Sequence, residues 1–367
     1  MESVEYAVVS PKKIEKKIVD VPAPKKGEYL VKTRFLQVCD ADAKYYFGLR
    51  PKFPYALFGF RFFYGIRNRK EFLKKYPMTL IHEAIGVVEK PGPGASLKKG
   101  QRVVFVPSQP CYLHGGSPDC VFCKKDGFGE QYCRKSKFMS SNMPGFLRSY
   151  LILPEECVVP IPDDVPDEIA ISCELASVAY NALECSLQKN DVVLVFGDGY
   201  LAFVLAVLAS KEFKVPKEKL FVVGKSKEKL SRFSSFASTG LFDEDLHLKE
   251  KVTIVFDCVG MTAAEDIINK AIDLLSPFGR IILLGVSEER VPINTRDVLS
   301  KSITLRGFSR SPASSYSKVL KAFKNPVVQK LLMPLTAEKM KLASVVDLES
   351  AFEAYMVNRK KFLLEFE

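Results

Sequence analysis

The run DVVLVFGDGYLAFVLAVLA, from Asp191 to Ala209, constrains this chain more than any other stretch. A short valine-rich apolar segment passes through Gly197, Asp198 and Gly199 into a segment whose Leu and Ala content suits a helix. The order predicted is strand, tight turn, helix. The turn reads G-x-G-x-x-A: Gly197 and Gly199 let backbone come close to a pyrophosphate, and Ala202 is small enough for helix and strand to pack. The helix opening at Tyr200 and Leu201 turns its unpaired N–H groups and positive dipole end toward that phosphate. Glycine turns of this kind are common, so the motif takes its weight from the strands and helices downstream of it.

Residues 219–224 read as a second strand, followed by a charged, helix-favouring run from Lys225 to Phe233. Residues 253–260 read as a third strand with a helical pattern over 263–275 behind it, 279–285 as a fourth, closing on Gly285, and 302–307 as a fifth. This alternation predicts an α/β domain of the Rossmann kind, a doubly wound parallel sheet that takes a dinucleotide across the carboxyl ends of its strands. The residue ending the second strand selects the dinucleotide. An acid there bonds the ribose hydroxyls of NAD, whereas a small residue followed by basic ones leaves room and charge for the extra phosphate of NADP. Here Gly224 is followed by Lys225, Ser226 and Lys227, which predicts NADP(H). The alternative reading of these lysines is an ordinary solvated helix start.

At 367 residues the chain is long for one core and comfortable for two domains. A net charge of +11 invites a nucleic-acid reading. However, no run of like charge is long enough to form an arm, and basic residues alternate with acidic ones through most of the chain. An anionic small substrate together with NADP accounts for a basic field equally well. The rival from this class, a basic nucleic-acid-binding protein with a zinc module, is opposed by the repeated strand and helix pattern after Asp191. The first residues show no basic region leading into an apolar core, and the longest apolar run, Tyr200 to Ala209, is too short to cross a bilayer. The expectation is a cytoplasmic protein with no membrane partner. Nine cysteines in such a chain argue for metal or catalysis before disulfides.

The first 155 residues or so read as a compact β-rich domain, with strands over 6–9, 29–38, 77–89 and 100–107 and frequent Gly and Pro between them. Residues 160–166 form the natural joint to the α/β domain. Four features of this region stand in series with the nucleotide motif: Cys39 at the end of a strand, His82 and Glu83 ahead of Gly86, the group Cys111, Cys120, Cys123 and Cys133, and Glu174 on the helix before Asp191. As an ordered set they resemble the zinc-dependent medium-chain alcohol and polyol dehydrogenases from end to end. Residues 80–83 (LIHE), 196–199 (FGDG), 223–225 (VGK), 285–288 (GVSE), 294–296 (NTR) and 309–310 (SR) further resemble the bacterial ribitol-5-phosphate dehydrogenases. The resemblance implies a GroES-like catalytic domain in two pieces, residues 1–159 and 306–367, around a Rossmann NADP-binding domain over 160–305. It implies reduction of ribulose 5-phosphate with NADPH. A general alcohol, sorbitol or threonine-type dehydrogenase is the alternative in the same class. It also implies a small-molecule polyol or ketose substrate and a homodimer or homotetramer.

Reduction of a carbonyl needs a hydride donor and a polarising group, and zinc with an open position serves as the latter. Cys39 and His82 suit zinc. The resemblance puts carboxylates in the remaining places: Glu174, with Glu83 as ligand or near neighbour. Cys173 could ligate instead of Glu174, but adjacent helical side chains diverge by about 100°. Taken singly, Cys39 and His82 could equally be core residues. Relatives relay the alcohol proton through a hydroxyl residue and a histidine, where this chain has Ala41 and Lys44, so zinc-bound water, Glu174 or a substrate hydroxyl must take over. Tyr46 is a candidate pocket residue, or else a packed aromatic. The resemblance places Arg310 and Lys361 on the cofactor. Cys111, Cys120, Cys123 and Cys133 read as a closed structural zinc site, with His114 as the alternative to Cys111. Residues 49–76, rich in aromatics and carrying Arg61, Arg67 and Arg69, read either as a pocket wall holding a substrate phosphate or as a subunit contact. Toward the end, helices are expected over 318–324 and 348–357 and a strand over 361–366.

Overall fold

The structure is a computed structural model that describes residues 1–49, 76–124, 127–244, 248, 251–287 and 290–366. The arginine-bearing stretch with Arg61, Arg67 and Arg69, as well as His247 and Glu288, lies outside the described residues. Two compact units emerge, one of residues 1–174, 312–324 and 333–367, the other of residues 175–311 and 325–332.

The first unit is built on a seven-stranded sheet whose main path runs Glu338–Leu342, Phe362–Phe366, Glu28–Gln37, Glu83–Pro91, Arg102–Phe105 and Val158–Pro160. Tyr150–Pro154 pairs antiparallel with Glu28–Gln37 off this path. The central strand shows why it sits there: Lys32 and Arg34 reach solvent while Val31, Phe35 and Leu36 are buried, the alternation of a half-buried strand. Glu2–Ser10 and Lys13–Asp20 form an antiparallel hairpin beside it. The second arm, KIEKKIVD, is mostly exposed and so carries too little apolar pattern to be read as a strand beforehand. Residues 160–174 belong to this unit as well, beyond the expected joint. Arg102 holds Asp167 at 2.7 Å and the Pro162 carbonyl at 2.8 Å, and Arg34 holds Asp167 at 3.0 Å.

The second unit is a six-stranded parallel sheet in the order Ser238–Leu241, Leu220–Gly224, Val193–Phe196, Val252–Asp257, Leu275–Leu283, Thr304–Gly307. Val193–Phe196 is buried at every position, which is why it reads as a continuous apolar run. The helix Tyr200–Lys211 buries Ala202 to Ala209 without interruption, as a helix apolar all round must. The strand Ser238–Leu241 was not expected, because it is short, edge-placed and contains Ser, Thr and Gly. The helix Ala264–Leu274 covers an apolar cluster that includes Leu194, Val255 and Ile281. The helix Pro326–Leu332, also not expected, packs on Tyr200–Lys211. No helix among the described residues is long and apolar enough to cross a membrane.

Candidate active site and metal centres

In the β-rich unit, the strand Glu28–Gln37 delivers the chain to Cys39, which caps the short helix Asp40–Tyr46. The reciprocal cap is made by Asp42: its backbone N–H donates to the Cys39 sulfur at 3.5 Å, and its carboxylate accepts from the Cys39 N–H at 3.4 Å. His82 arrives immediately before the strand Glu83–Pro91. Its Nε2 lies 3.4 Å from Cys39 Sγ, while Nδ1 lies 3.5 Å from Asp42 Oδ1. Zinc at about 2.3 Å from sulfur and about 2.0–2.1 Å from nitrogen, with tetrahedral angles, sets the two ligand atoms about 3.5 Å apart. The donor pair therefore fits zinc. Cys39, Asp42 and His82 form a group whose ligand atoms all lie within 4.8 Å of one another.

Asp42 was not foreseen. Its fully buried carboxylate also accepts from the Ile81 N–H at 3.1 Å and the Ser140 hydroxyl at 2.6 Å. Ile81 and Ser140 both have left-handed backbone, φ 67° and 64°, which is uncommon outside glycine and more so for the β-branched Ile81. Burial works against Asp42 ionising, but His82 and these hydrogen bonds outweigh it and hold the carboxyl down to about 2. Burial likewise opposes charge on His82, and its neighbours Cys39 and Asp42 overcome it, so the imidazole is held well above its ordinary value. Burial first and Asp42 second push the Cys39 thiol up to about 12. A zinc ion held by Cys39 and His82 would require the thiolate and the neutral imidazole, so its binding would release protons.

Glu83 and Glu174 are buried in the same unit but are not members of the group around Cys39. Glu83 is held by Lys361, whose Nζ lies 2.9 Å from one carboxylate oxygen and 3.2 Å from Gln37 Oε1. Lys361, expected on the cofactor, is thus engaged with a carboxylate of the β-rich unit. Glu174 is raised to about 7, by burial first, against the pull of His82 and Lys361. Cys173 turns away to the Tyr316 carbonyl at 3.6 Å. Lys44 pairs with Asp40 at 2.8 Å. The Tyr46 ring stacks on Phe352 with centroids 4.6 Å apart and an interplanar angle of 14°. Burial and the charges of Glu349 and Glu353 raise its hydroxyl to about 12.

The sulfurs of Cys111, Cys120, Cys123 and Cys133 also gather within 4.8 Å. Tetrahedral coordination at about 2.3 Å predicts sulfurs about 3.8 Å apart, and Cys120 and Cys133 are at 3.8 Å. His114 turns instead to Gln109 Oε1 at 2.9 Å. N–H groups of Phe122 and Cys123 bring the Cys120 thiol down to about 7, whereas burial raises Cys111 and Cys123. The short strands Ser108–Gln109 and Lys137–Phe138 close this lobe. Beyond them Phe138 meets the His82 ring edge-on at 5.5 Å, and Ser140 reaches Asp42. Neither contact has a local signal in the sequence.

In the α/β unit, Gly197 adopts φ 127° and donates its N–H to the Val223 carbonyl at 2.8 Å. That φ is one L side chains rarely adopt, which accounts for the glycine; a Cβ there would stand 3.3 Å from Val259 Cγ2 and 3.4 Å from Ala202 Cβ. Gly199 presents bare backbone, with no protein atom within 4 Å of where a Cβ would stand, and it opens the helix Tyr200–Lys211 without a side-chain cap. Asp198 reaches the Lys225 and Ser226 N–H groups just beyond Gly224. Gly285 passes so close to Gly260 that a Cβ would meet its nitrogen at 2.2 Å. Arg310 is half-buried just after the strand Thr304–Gly307. A cavity of about 270 Å³ in this unit is lined by Phe196, Val223, Asp243, Glu244, Leu248, Lys270 and Leu274.

Comparison with known proteins identifies the family. Residues 25–163 match the alcohol dehydrogenase GroES-like domain and residues 219–325 match the zinc-binding dehydrogenase family. Ribulose-5-phosphate reductase 1 of Staphylococcus aureus is 32% identical over 95% of this chain and 94% of its own length. The ribulose-5-phosphate reductase of Bacillus spizizenii is 32% identical over 92% of each. Among solved structures, S. aureus TarJ in complex with NADPH superposes with a TM-score of 0.78 at 28% identity, covering 100% of both chains. The chain belongs to the zinc-binding, GroES-like alcohol dehydrogenase family that includes the ribulose-5-phosphate reductases.

Proposed function

We propose that this chain is a zinc- and NADP(H)-dependent reductase that interconverts a phosphorylated ketose and its polyol, of the ribulose 5-phosphate to ribitol 5-phosphate type. The observation that carries it is the Cys39 and His82 pair at the spacing of tetrahedral zinc, in a chain aligned along nearly its whole length with ribulose-5-phosphate reductases. Zinc, when bound, supplies the Lewis acid that polarises the substrate carbonyl, and NADPH supplies the hydride.

The residues divide the remaining work. Cys39 and His82 are assigned as ligands. Asp42 is assigned to the other ring nitrogen of His82, where a carboxylate fixes ring orientation and tautomer. Glu174 is assigned as the carboxylate ligand. Glu83, neutralised by Lys361, is assigned as its neighbour. Cys111, Cys120, Cys123 and Cys133 are assigned to a second, closed zinc site that stabilises the fold. The backbone of Gly197, Asp198, Gly199, Tyr200 and Leu201 is assigned to the pyrophosphate, Gly285 and Arg310 to the rest of the dinucleotide, and the cavity beside Phe196 and Val223 to its adenosine end. Gly224 followed by Lys225 and Ser226 supports NADP over NAD. With Lys44 held by Asp40, proton traffic is assigned to the substrate hydroxyls and the carboxylates.

The partner is a small polyol or ketose phosphate, with no role for nucleic acid or membrane. A homodimer or homotetramer in the cytoplasm is the assembly proposed, and nine free thiols suit a reducing compartment. The test is initial rates of NADPH and NADH oxidation with ribulose 5-phosphate, ribulose and xylulose. Rapid turnover only with the phosphate and NADPH supports the reading. Equal turnover of unphosphorylated ketoses, or a preference for NADH, sinks its substrate or cofactor half.

A further inference from the structure

Asp198 occupies the variable position of the G-x-G turn, where the motif asks nothing of the side chain. Its carboxylate nevertheless crosses to the neighbouring strand. Oδ2 accepts the N–H of Lys225 at 2.9 Å and that of Ser226 at 2.8 Å. Asp198 also fills the space beside Gly224: a Cβ added there would meet Asp198 Cβ at 2.7 Å, Oδ2 at 2.8 Å and Cγ at 3.0 Å. An acidic side chain at the end of the second strand would need that same space to read ribose hydroxyls. The carboxylate thus arrives from the first strand instead of the second, and it is tied to backbone.

The turn it ties is the one that selects the dinucleotide. Gly224 is pinned on its other side by the Phe242 N–H, which donates to the Gly224 carbonyl at 2.9 Å. Ser226 accepts from the Lys229 N–H at 3.3 Å, and a hydroxyl accepting in this way keeps its own O–H to donate. Lys225 and Lys227 project as exposed side chains on either side of it.

We propose that Asp198 is a positioning residue for dinucleotide selection, its carboxylate locking the Gly224 to Ser226 turn so that Lys225, Ser226 and Lys227 present one donor set to the 2′-phosphate of NADP. This rests on the NADP reading above. The two backbone N–H groups are already committed to Asp198, so recognition of the phosphate falls to side chains. Their geometry then depends on a residue that belongs to the other strand. Introducing an acid at Gly224 therefore cannot by itself convert the protein to NAD, because Asp198 stands where that acid must go.

Steady-state kinetics on the zinc-replete enzyme test this. Wild type is measured first, with NADPH and with NADH; a wild type that prefers NADH overturns the cofactor reading alone, before any variant is compared. Asp198→Ala is expected to raise KM for NADPH about tenfold, with kcat within about twofold and a smaller change in KM for NADH. Asp198→Asn is expected to restore KM for NADPH to within about threefold of wild type, since its amide oxygen accepts the same N–H groups. Should Asp198→Ala fold poorly, Gly224→Ala reads the same contact, because its Cβ displaces Asp198; the same rise in KM for NADPH is expected. The proposal is overturned if either alanine variant folds and leaves KM for NADPH within twofold. It is equally overturned if Asn behaves no better than Ala, or if removing the carboxylate tightens NADPH.

Discussion

Asp42 shows how one side chain can set a site without being its obvious ligand. One buried carboxylate receives the Cys39 N–H, the Ile81 N–H and the Ser140 hydroxyl and faces His82. Two of those partners, Ile81 and Ser140, are held in left-handed backbone, a conformation costing of order 1–3 kcal/mol each that only surrounding contacts can maintain. Asp42→Ala strands the buried donors that hold this strained backbone in place, and is expected to lower stability by about 2–4 kcal/mol. It should also lower the zinc retained after gel filtration. Urea unfolding and metal analysis check both; unchanged zinc content would refute the positioning role assigned to Asp42.

At the scale of elements, the four-cysteine lobe and the C-terminal helix behave as separate tests. The lobe gathers four cysteine sulfurs within 4.8 Å of one another, and its closing strand leads directly to the Phe138 and Ser140 contacts with His82 and Asp42. Cys123→Ser should therefore leave one zinc per chain, open residues 108–138 to limited proteolysis, and reduce kcat through His82 although it touches no substrate. An unaltered kcat would show the lobe to be uncoupled from the site. The helix Val345–Asn358 is capped reciprocally by Ser344 and Asp347. The Asp347 carboxylate accepts the Ser344 N–H at 2.8 Å and that of Ala343 at 3.1 Å, which holds its pKa below the ordinary value. Because the folded pKa is the lower one, this contribution is complete above the unfolded value of about 3.9 and is lost as pH falls through the folded value. The gap in urea midpoint between wild type and Asp347→Asn is expected to be steady at neutral pH and to close under acid, below about pH 4.

For the whole molecule, the charge of +11 is spread over a fold whose ion pairs interleave acid and base, as in Arg102 with Asp167 and Lys339 with Glu168. Binding to duplex DNA is expected to vanish by about 150 mM salt in an anisotropy titration, since few phosphates could be engaged at once; retention with a steep salt slope would revive a nucleic-acid role. Much of the α/β unit was legible in advance, because fully buried parallel strands such as Val193–Phe196 write continuous apolar runs and the turn at Gly197 needs glycine for its φ of 127°. The edge strand Ser238–Leu241 and the exposed arm Lys13–Asp20 were not, since an element with little apolar burial leaves no pattern. The sequence by itself determined the parallel sheet, the metal-capable cysteines and histidine, and the glycine that favours one dinucleotide, for these come from local residue type and spacing. Only the tertiary structure decided that Asp42 lies beside His82, that Lys361 pairs with Glu83 across 278 residues of chain, that the Tyr46 ring stacks on Phe352, and that Asp198 stands where an acid at Gly224 would. Each of those depends on groups brought together by sheet register and burial, whose energy is set by distance in space and not by separation along the chain.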